Sequence, residues 1–413
     1  MNTHVHLRPV PMRARFLTPG VAVLLLVALT GLGVLAARFL FGIGAVTNLS
    51  NQYPWGLWIG LDVAAGVALA AGGFTTAALA HVMHRQEYRA VVRPALLTAL
   101  LGYTFVALAV FVDIGRPLAI WHPLVMWNGS SALFEVGICV MVYMSVLYIE
   151  FLPVVTERFI GRVNLPGPLA RLNGILDRSL RALDRGLSRA MFVFIIAGVV
   201  LSTLHQSSLG TLMVIAGPKM HVLWQTPILP LLFLLSAIAV GLPMVIVESL
   251  LAARSFGLKP EMAVLSRLGW LTTPLLGVYL MFKIGDMFVR KTFLHLAAWD
   301  LPSILFMTEI LVGVALPLRM LLSRRVLQSP RLLFTASMLV VLGVALNRFN
   351  NFVVAYTPPY SVTRYVPAWG EMAVTAGCVA LLVLLYRAAA LYLPVISLPD
   401  RDRSPREKYT VRG

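Results

Sequence analysis

Residues 226–252 read TPILPLLFLLSAIAVGLPMVIVESLLA, a run with one ionisable side chain, Glu248. As a helix rising ~1.5 Å per residue it spans about 40 Å, enough to cross the ~30 Å hydrocarbon core of a bilayer. Working outward, nine more stretches read the same way. The spans are 16–41, 55–82, 94–113, 130–153, 190–206, 226–252, 268–288, 301–322, 332–348 and 370–394. Of the 413 residues 59% are hydrophobic and only 12% charged, too apolar for a soluble chain of this length. The expected fold is all-α: a polytopic integral membrane protein with ten transmembrane helices.

A net charge of +17 would suggest nucleic acid as a partner of a soluble protein, but its placement argues against that. Of 34 basic residues, 24 fall in the N-terminus, the C-terminus and the loops after the second, fourth, sixth and eighth spans, against five in the alternate loops. Basic residues stay on the cytoplasmic side. Both termini are therefore expected in the cytoplasm, and the alternate loops outside. Cys139 and Cys378 lie inside spans, with no CxxC, CxxCH or disulfide framework. The first span is long and its Ala36–Ala37–Arg38 exit is a poor cleavage site, so it reads as a retained anchor.

Spans two to five (55–206) and six to nine (226–348) run in the same order and direction. Asp113–Ile114–Gly115 closes the third span, Lys283–Ile284–Gly285 the seventh, and the next helices carry Glu135 and Glu309. This suggests two related four-helix bundles in one membrane domain. Residues 1–54 (tail, first span and outer loop), 370–394 (last span) and 395–413 (cytoplasmic tail) flank them. The loop 154–189, with seven arginines, spaces Leu172, Ile175, Leu176, Leu180 and Leu183 as an amphipathic helix lying on the inner leaflet. The charged tail Asp400–Gly413 reads as disordered.

Trp55, Trp58, Trp121, Trp127, Trp224, Trp299 and Trp369, seven of the eight tryptophans, lie at outer ends of spans or in outer loops. Aromatic belts form at both interfaces, so this one-sidedness suits a docking surface or a shallow ring-binding pocket as well as an asymmetric belt. Ionisable groups inside spans are functional candidates. Asp62, Glu135 and Glu248 lack an obvious local partner, and Tyr103 lies near the middle of the third span. Asp113 with Arg116, and Lys283 with Asp286, are expected to be helix-end ion pairs; Glu150 and Glu157 are expected to face the cytoplasm and its arginines.

A haem held by two histidines needs them facing each other within the bundle. His4, His6, His81, His84, His122, His205, His221 and His295 all read as tail, loop or span-end residues, so neither haem nor an iron–sulfur cluster nor any metal site is expected in this chain. What remains is a bundle with proton-active carboxyls and a polar, aromatic outer pocket. It could bind an exchangeable quinone, with His205, Gln206 and Ser207 on a carbonyl and Asp62, Tyr103 and Glu135 handling protons. It could equally be a solute transporter with a polar midplane site; the periodicity leaves both open.

Certain strings resemble a known family. Tyr53-Pro-Trp-Gly-Leu-Trp-Ile-Gly-Leu-Asp62 followed by Ala71-Gly-Gly-Phe74 resembles the NrfD/polysulfide-reductase membrane subunits. Within that family, Val92-Arg-Pro-Ala-Leu-Leu97, Gly102-Tyr103, Val112-Asp-Ile-Gly-Arg116 and Phe134-Glu135 are similar to the membrane subunit of periplasmic hydrogenase-2-type [NiFe] hydrogenases. So are His205-Gln-Ser-Ser-Leu-Gly210, His221-Val-Leu-Trp224 and Val247-Glu248. The resemblance implies an inner-membrane subunit of a hydrogen:quinone oxidoreductase, inactive alone. Its partners would be a periplasmic ferredoxin-like iron–sulfur subunit and the small and large [NiFe] hydrogenase subunits, its substrate menaquinone or ubiquinone. It also implies a quinone pocket near the outer face, at Asp62, Tyr103, Glu135 and His205, and a proton path at Glu248. A molybdenum-dependent periplasmic oxidoreductase, polysulfide reductase-like, is the alternative partner.

Overall fold

The computed structural model describes residues 7–359, 361 and 364–399; the tail expected to be disordered lies outside them. Ten helices are long and apolar enough to cross a membrane: α1 Pro19–Phe41, α2 Trp58–Val82, α3 Arg89–Asp113, α4 Ala132–Phe159, α5 Leu169–Lys219, α6 Leu229–Phe256, α7 Met262–Val289, α8 Leu301–Leu321, α9 Pro330–Val354 and α10 Trp369–Tyr392. The all-α expectation holds apart from one small antiparallel pair. Strand β1 (Leu7–Val10) lies against β2 (Ile396–Pro399), with Leu7 opposite Pro399. It ties the two ends of the chain together on one side of the bundle, called here the termini end.

Helix starts follow from local chemistry. The side chains of Thr18, Ser131, Asp300 and Ser329 accept from the backbone N–H three residues on, satisfying donors that a helix N-terminus leaves open. π-helical turns interrupt α2 at Trp58–Ala65 and Ala78–Val82, α8 at Leu311–Ala315 and α9 at Asn350–Val354. Such turns gather at functional positions, and Asp62, Asn350 and Asn351 all sit on them.

Successive helices pack side by side from α2 to α7; α6 also packs on α2 and α9, and α1 pairs with α10. Two crossings depend on glycine. A Cβ on Gly31 would fall 2.8 Å from Gly377 Cα, and one on Gly343 would fall 2.4 Å from Gly313 Cα. With no hydrophobic drive between helices in lipid, such backbone approach supplies the packing.

The structure corrects the reading of α5. The amphipathic stretch does not lie on the leaflet as a separate helix. No proline interrupts Asn173–Ala216, and the backbone runs as one helix of 44 residues, about 66 Å at ~1.5 Å per residue. Its overhang is braced against the end of α4: Gly161 N donates to Asp177 Oδ1 at 2.6 Å and Thr156 Oγ1 donates to Asp184 at 3.3 Å, while Arg181 pairs with Asp177 at 2.8 Å within α5 itself. His205 accordingly stands about 16 Å from the far end of that helix at ~1.5 Å per residue. It is a buried mid-bundle residue, not the span-end residue expected.

Candidate functional site

Three helices bring Tyr103 (α3), Tyr143 (α4) and His205 (α5) together. Tyr103 and His205 are fully buried and Tyr143 nearly so. The Tyr103 hydroxyl lies 3.3 Å from His205 Nδ1, and its ring meets that of Tyr143 edge to face at 4.5 Å. Ser202, one turn before Gln206 on α5, stands beside both tyrosine hydroxyls. Gln206 donates from Nε2 to the Val67 carbonyl of α2 at 2.9 Å. At the edge of the group, Ser208 Oγ donates to Glu135 Oε1 at 2.5 Å.

Buried polar atoms are almost always paired. Here Tyr143 Oη, Ser202 Oγ, His205 Nε2 and Gln206 Oε1 are buried without a well-formed hydrogen bond among the described residues, although the Tyr143 and Ser202 hydroxyls are neighbours. Leaving such groups unsatisfied costs about 1–3 kcal/mol each, so a cluster of four is a candidate place for a polar guest or buried water. Acceptor and donor capacity both converge there, which suits an oxygen-bearing ring and the movement of protons to it.

The expected site residues do not all meet. Asp62, on the π-helical part of α2, accepts from Thr375 Oγ1 at 2.7 Å. It lines an apolar cavity of about 180 Å³ with Trp58, Phe105, Ala109, Gly377 and Cys378. That cavity lies between α1, α2, α3 and α10, whereas Tyr103 points to α4 and α5. Ser207 is half-buried and reaches neither group; the serine in contact with Glu135 is Ser208. Both carboxylate oxygens of Glu248 are buried beside the hydroxyls of Thr98 of α3 and Tyr386 of α10, without a well-formed hydrogen bond among the described residues. Sequence reasoning missed Tyr143, Ser202 and Ser208. The signal for Ser202 was its helical spacing from His205 and Gln206.

A second polar group joins α7, α8 and α9; its Glu309 carboxylate is fully paired, while Arg348 Nε and Asn350 Oδ1 are buried without partner among the described residues. Glu309 accepts from Asn347 at 2.7 Å, and from Trp224 Nε1 and Asn350 each at 3.0 Å, while Lys283 Nζ stands at 3.3 Å. Arg348 donates to Asn347 Oδ1 at 2.6 Å and to Phe233 O and Ser236 Oγ at 2.9 Å, with its guanidinium over the Phe233 ring. Lys283 therefore pairs with Glu309 and not with Asp286. Asp286 takes Arg290 at 2.7 Å and the Thr226 hydroxyl at 2.7 Å. The expected Asp113–Arg116 pair is likewise absent. Arg116 is exposed, and Arg38 of α1 caps the end of α3 by donating to Val112 O and Ile114 O, each at 2.7 Å. Glu157 does pair with Arg93, at 2.7 Å, but Glu150 is buried and pairs with no arginine among the described residues.

The far end carries seven of the eight tryptophans, in two roles. Trp58 and Trp224 are buried donors, to Glu371 O and Glu309. Trp121, Trp127, Trp299 and Trp369 are exposed. In the loop before α10, Tyr365 accepts from Leu57 N at 2.9 Å and donates to Glu371 at 2.5 Å; burial and the neighbouring carboxylate push its hydroxyl above the ordinary phenol range. In the loop between α5 and α6, burial holds the His221 imidazole below its ordinary value, with Asp300 opposing.

These features define a ten-span helical membrane protein with an unsaturated polar cluster buried among three of its helices. The sequence profile of the Polysulphide reductase, NrfD family matches residues 45–358, and the chain belongs to that family. A protein of Nitratidesulfovibrio vulgaris (strain Hildenborough) is 37% identical over 395 residues, 92% of this chain and 95% of its own length. The "Probable Ni/Fe-hydrogenase 2 b-type cytochrome subunit" of Escherichia coli (strain K12) is 32% identical over 380 residues, 91% of this chain and 92% of its own. The "Menaquinone reductase, integral membrane subunit" of the same Nitratidesulfovibrio strain is 27% identical over 388 residues, 88% and 89% of the two chains. The E. coli name speaks of a b-type cytochrome. Here the ring neighbour of His205 is Tyr103, at 5.7 Å between centroids. No second histidine among the described residues meets its ring.

Proposed function

We propose that this chain is the quinone-reactive membrane subunit of a periplasmic [NiFe] hydrogenase complex. It sits in a bacterial inner membrane with its termini end in the cytoplasm, which the charge asymmetry of its loops supports. The observation that carries the quinone reading is the set of four buried polar atoms without a well-formed hydrogen bond around Tyr103 and His205. His205 and Gln206 hydrogen-bond a quinone carbonyl, and Tyr103 exchanges protons with the reduced oxygen. Glu135, with Ser208, takes up or releases protons at the edge of the cluster, while Asp62 and its apolar cavity hold the ring or its tail. Electrons arrive from a ferredoxin-like iron–sulfur partner on the periplasmic face, and Glu248 belongs to a proton path from the cytoplasm. The two four-helix groups share one membrane domain. The hydrogenase is the favoured partner because the E. coli relative bears that name.

The test is to purify the tagged chain gently with whatever binds it and to assay hydrogen-dependent quinone reduction against hydrogen-dependent reduction of a soluble dye. His205→Ala is expected to abolish the first and spare the second. Full quinone reduction by that variant would refute the site. Co-purification of a molybdenum oxidoreductase in place of hydrogenase subunits would refute the partner.

A further inference from the structure

Glu150 belongs to none of the groups above, yet it is a buried carboxylate in a span, 9% exposed. Neither a hydrogen bond nor an ion pair reaches it among the described residues. Its carboxylate lies against α5 where that helix has no side chain: a Cβ on Gly198 would fall 2.9 Å from Glu150 Oε1. On its other side is a cavity of about 160 Å³ at the termini end, lined also by His81 of α2, Arg93 of α3, and Met191 and Ile195 of α5. The ionisable groups facing that cavity are thus His81, Arg93 and Glu150, and Arg93 is already engaged by Glu157. The space is large enough for several waters, each needing only ~10–15 Å³ of such volume and a few polar partners, which His81, Arg93 and Glu150 offer.

From this point two helix faces lead inward in step. Tyr143 stands seven residues before Glu150 on α4, and His205 seven residues after Gly198 on α5, with Ser202 between. Seven residues are almost two turns, so each pair shares a face and is separated by about 10 Å along the axis. The faces converge where the Tyr143 and Ser202 hydroxyls stand together, without a well-formed hydrogen bond, beside Tyr103 and His205. Glu248 differs in setting: both its oxygens are buried, whereas Glu150 borders a cavity.

We propose that Glu150 is a proton inlet of this chain, taking protons from water at the termini end and passing them along Ser202 and Tyr143 to Tyr103 and His205. The inference rests on the quinone reading above. Each quinone reduced to quinol takes two electrons from the iron–sulfur partner and two protons, and this route supplies the protons; quinol oxidation runs it in reverse. Water bridges the interval between the carboxylate and the first hydroxyl.

The experiment uses the intact complex in proteoliposomes, with hydrogen as donor and a short-chain quinone as acceptor. Glu150→Gln keeps the shape and hydrogen-bonding capacity but carries no exchangeable acid. It is expected to slow quinone reduction at least tenfold, to raise the solvent deuterium isotope effect and to leave hydrogen-dependent dye reduction unchanged. Glu150→Asp is expected to restore part of the rate. Gly198→Ala, which crowds the carboxylate without removing it, is expected to fall between. A Glu150→Gln complex with wild-type quinone turnover and isotope effect would overturn the inference while leaving the quinone site standing. A variant that loses dye and quinone reduction alike would also overturn it, since the residue would then be structural. A wild-type complex without quinone turnover would overturn the proposed function and this inference together.

Discussion

Replacing Glu309 with Gln tests the polar group built around its fully paired carboxylate. Lys283 and Glu309 are 5% and 1% exposed in their side chains and 3.3 Å apart. The substitution leaves the Lys283 ammonium buried without its counter-charge, and breaking one side of a buried pair costs about 3–5 kcal/mol. Glu309 also accepts from Trp224, Asn347 and Asn350. A Gln amide keeps one acceptor oxygen and turns an NH2 toward the remaining donors, each orphan costing about 1–3 kcal/mol. Shared partners make these contributions non-additive, so the expected loss is about 4 kcal/mol, near a thousandfold in the folding equilibrium. The readout is unfolding in mixed detergent, followed by maleimide labelling at Cys139 and Cys378, the former buried and the latter half-buried. Lys283→Met combined with Glu309→Gln removes both charges and is expected to recover at least about 2 kcal/mol relative to the sum of the single changes. A Glu309→Gln protein within about 1 kcal/mol of wild type, or a cycle with no coupling, would show that water reaches the pair and would refute its placement as a buried tie among α7, α8 and α9.

Two further outcomes follow from the same contacts. Gly343→Ala places a Cβ 2.4 Å from Gly313 Cα, so α8 and α9 must separate. The expected cost is about 1–3 kcal/mol in the same unfolding assay, whereas alanine at Gly277, with open space around it, is expected to cost far less. His221 gives a pH dependence. Its folded-state pKa lies below the ordinary 6.5, so below about pH 6.5 the unfolded chain binds the extra proton and stability falls with pH, while above it the residue contributes no slope. His221→Asn should flatten that acid-side decline, measured as unfolding midpoints between pH 5 and pH 7.

Much of the fold was legible because a bilayer is a simple solvent: length, apolar content and the side on which arginines gather determine spans and their order. What the sequence could not show was where a helix stops when no breaker marks its end. Residues 154–189 read as a surface loop because they are basic, yet hydrogen bonding continues through Asn173–Ala216, and that misjudgement moved His205 from the middle of the bundle to its rim. The site was legible residue by residue and not as a constellation. Tyr103, His205 and Gln206 meet, but Asp62 faces α10 through Thr375, because a π-helical turn shifts the faces of α2 and no spacing rule registers that. Pairing was the least legible. Lys283 has Asp286 three positions away in sequence, but its partner is Glu309 on the next helix.

The two polar groups differ in a way that predicts opposite kinds of damage. Around Glu309 both carboxylate oxygens have partners, and a change there removes something that holds helices together. Around Tyr103 the polar atoms outnumber their partners, and a change there removes something held ready for a guest. Tyr103→Phe deletes one long 3.3 Å contact to His205 and keeps the ring that meets Tyr143 edge to face. The stability cost of a neutral hydrogen bond is only about 1 kcal/mol. If the hydroxyl exchanges protons with quinone, its loss should lower quinone turnover by about 10²–10⁴-fold, with dye reduction intact and the unfolding midpoint nearly unmoved. The reverse pattern, a large loss of stability with quinone turnover per folded molecule unchanged, would show that the Tyr103 hydroxyl is a packing element, and the functional site would then have to be sought in the apolar cavity beside Asp62.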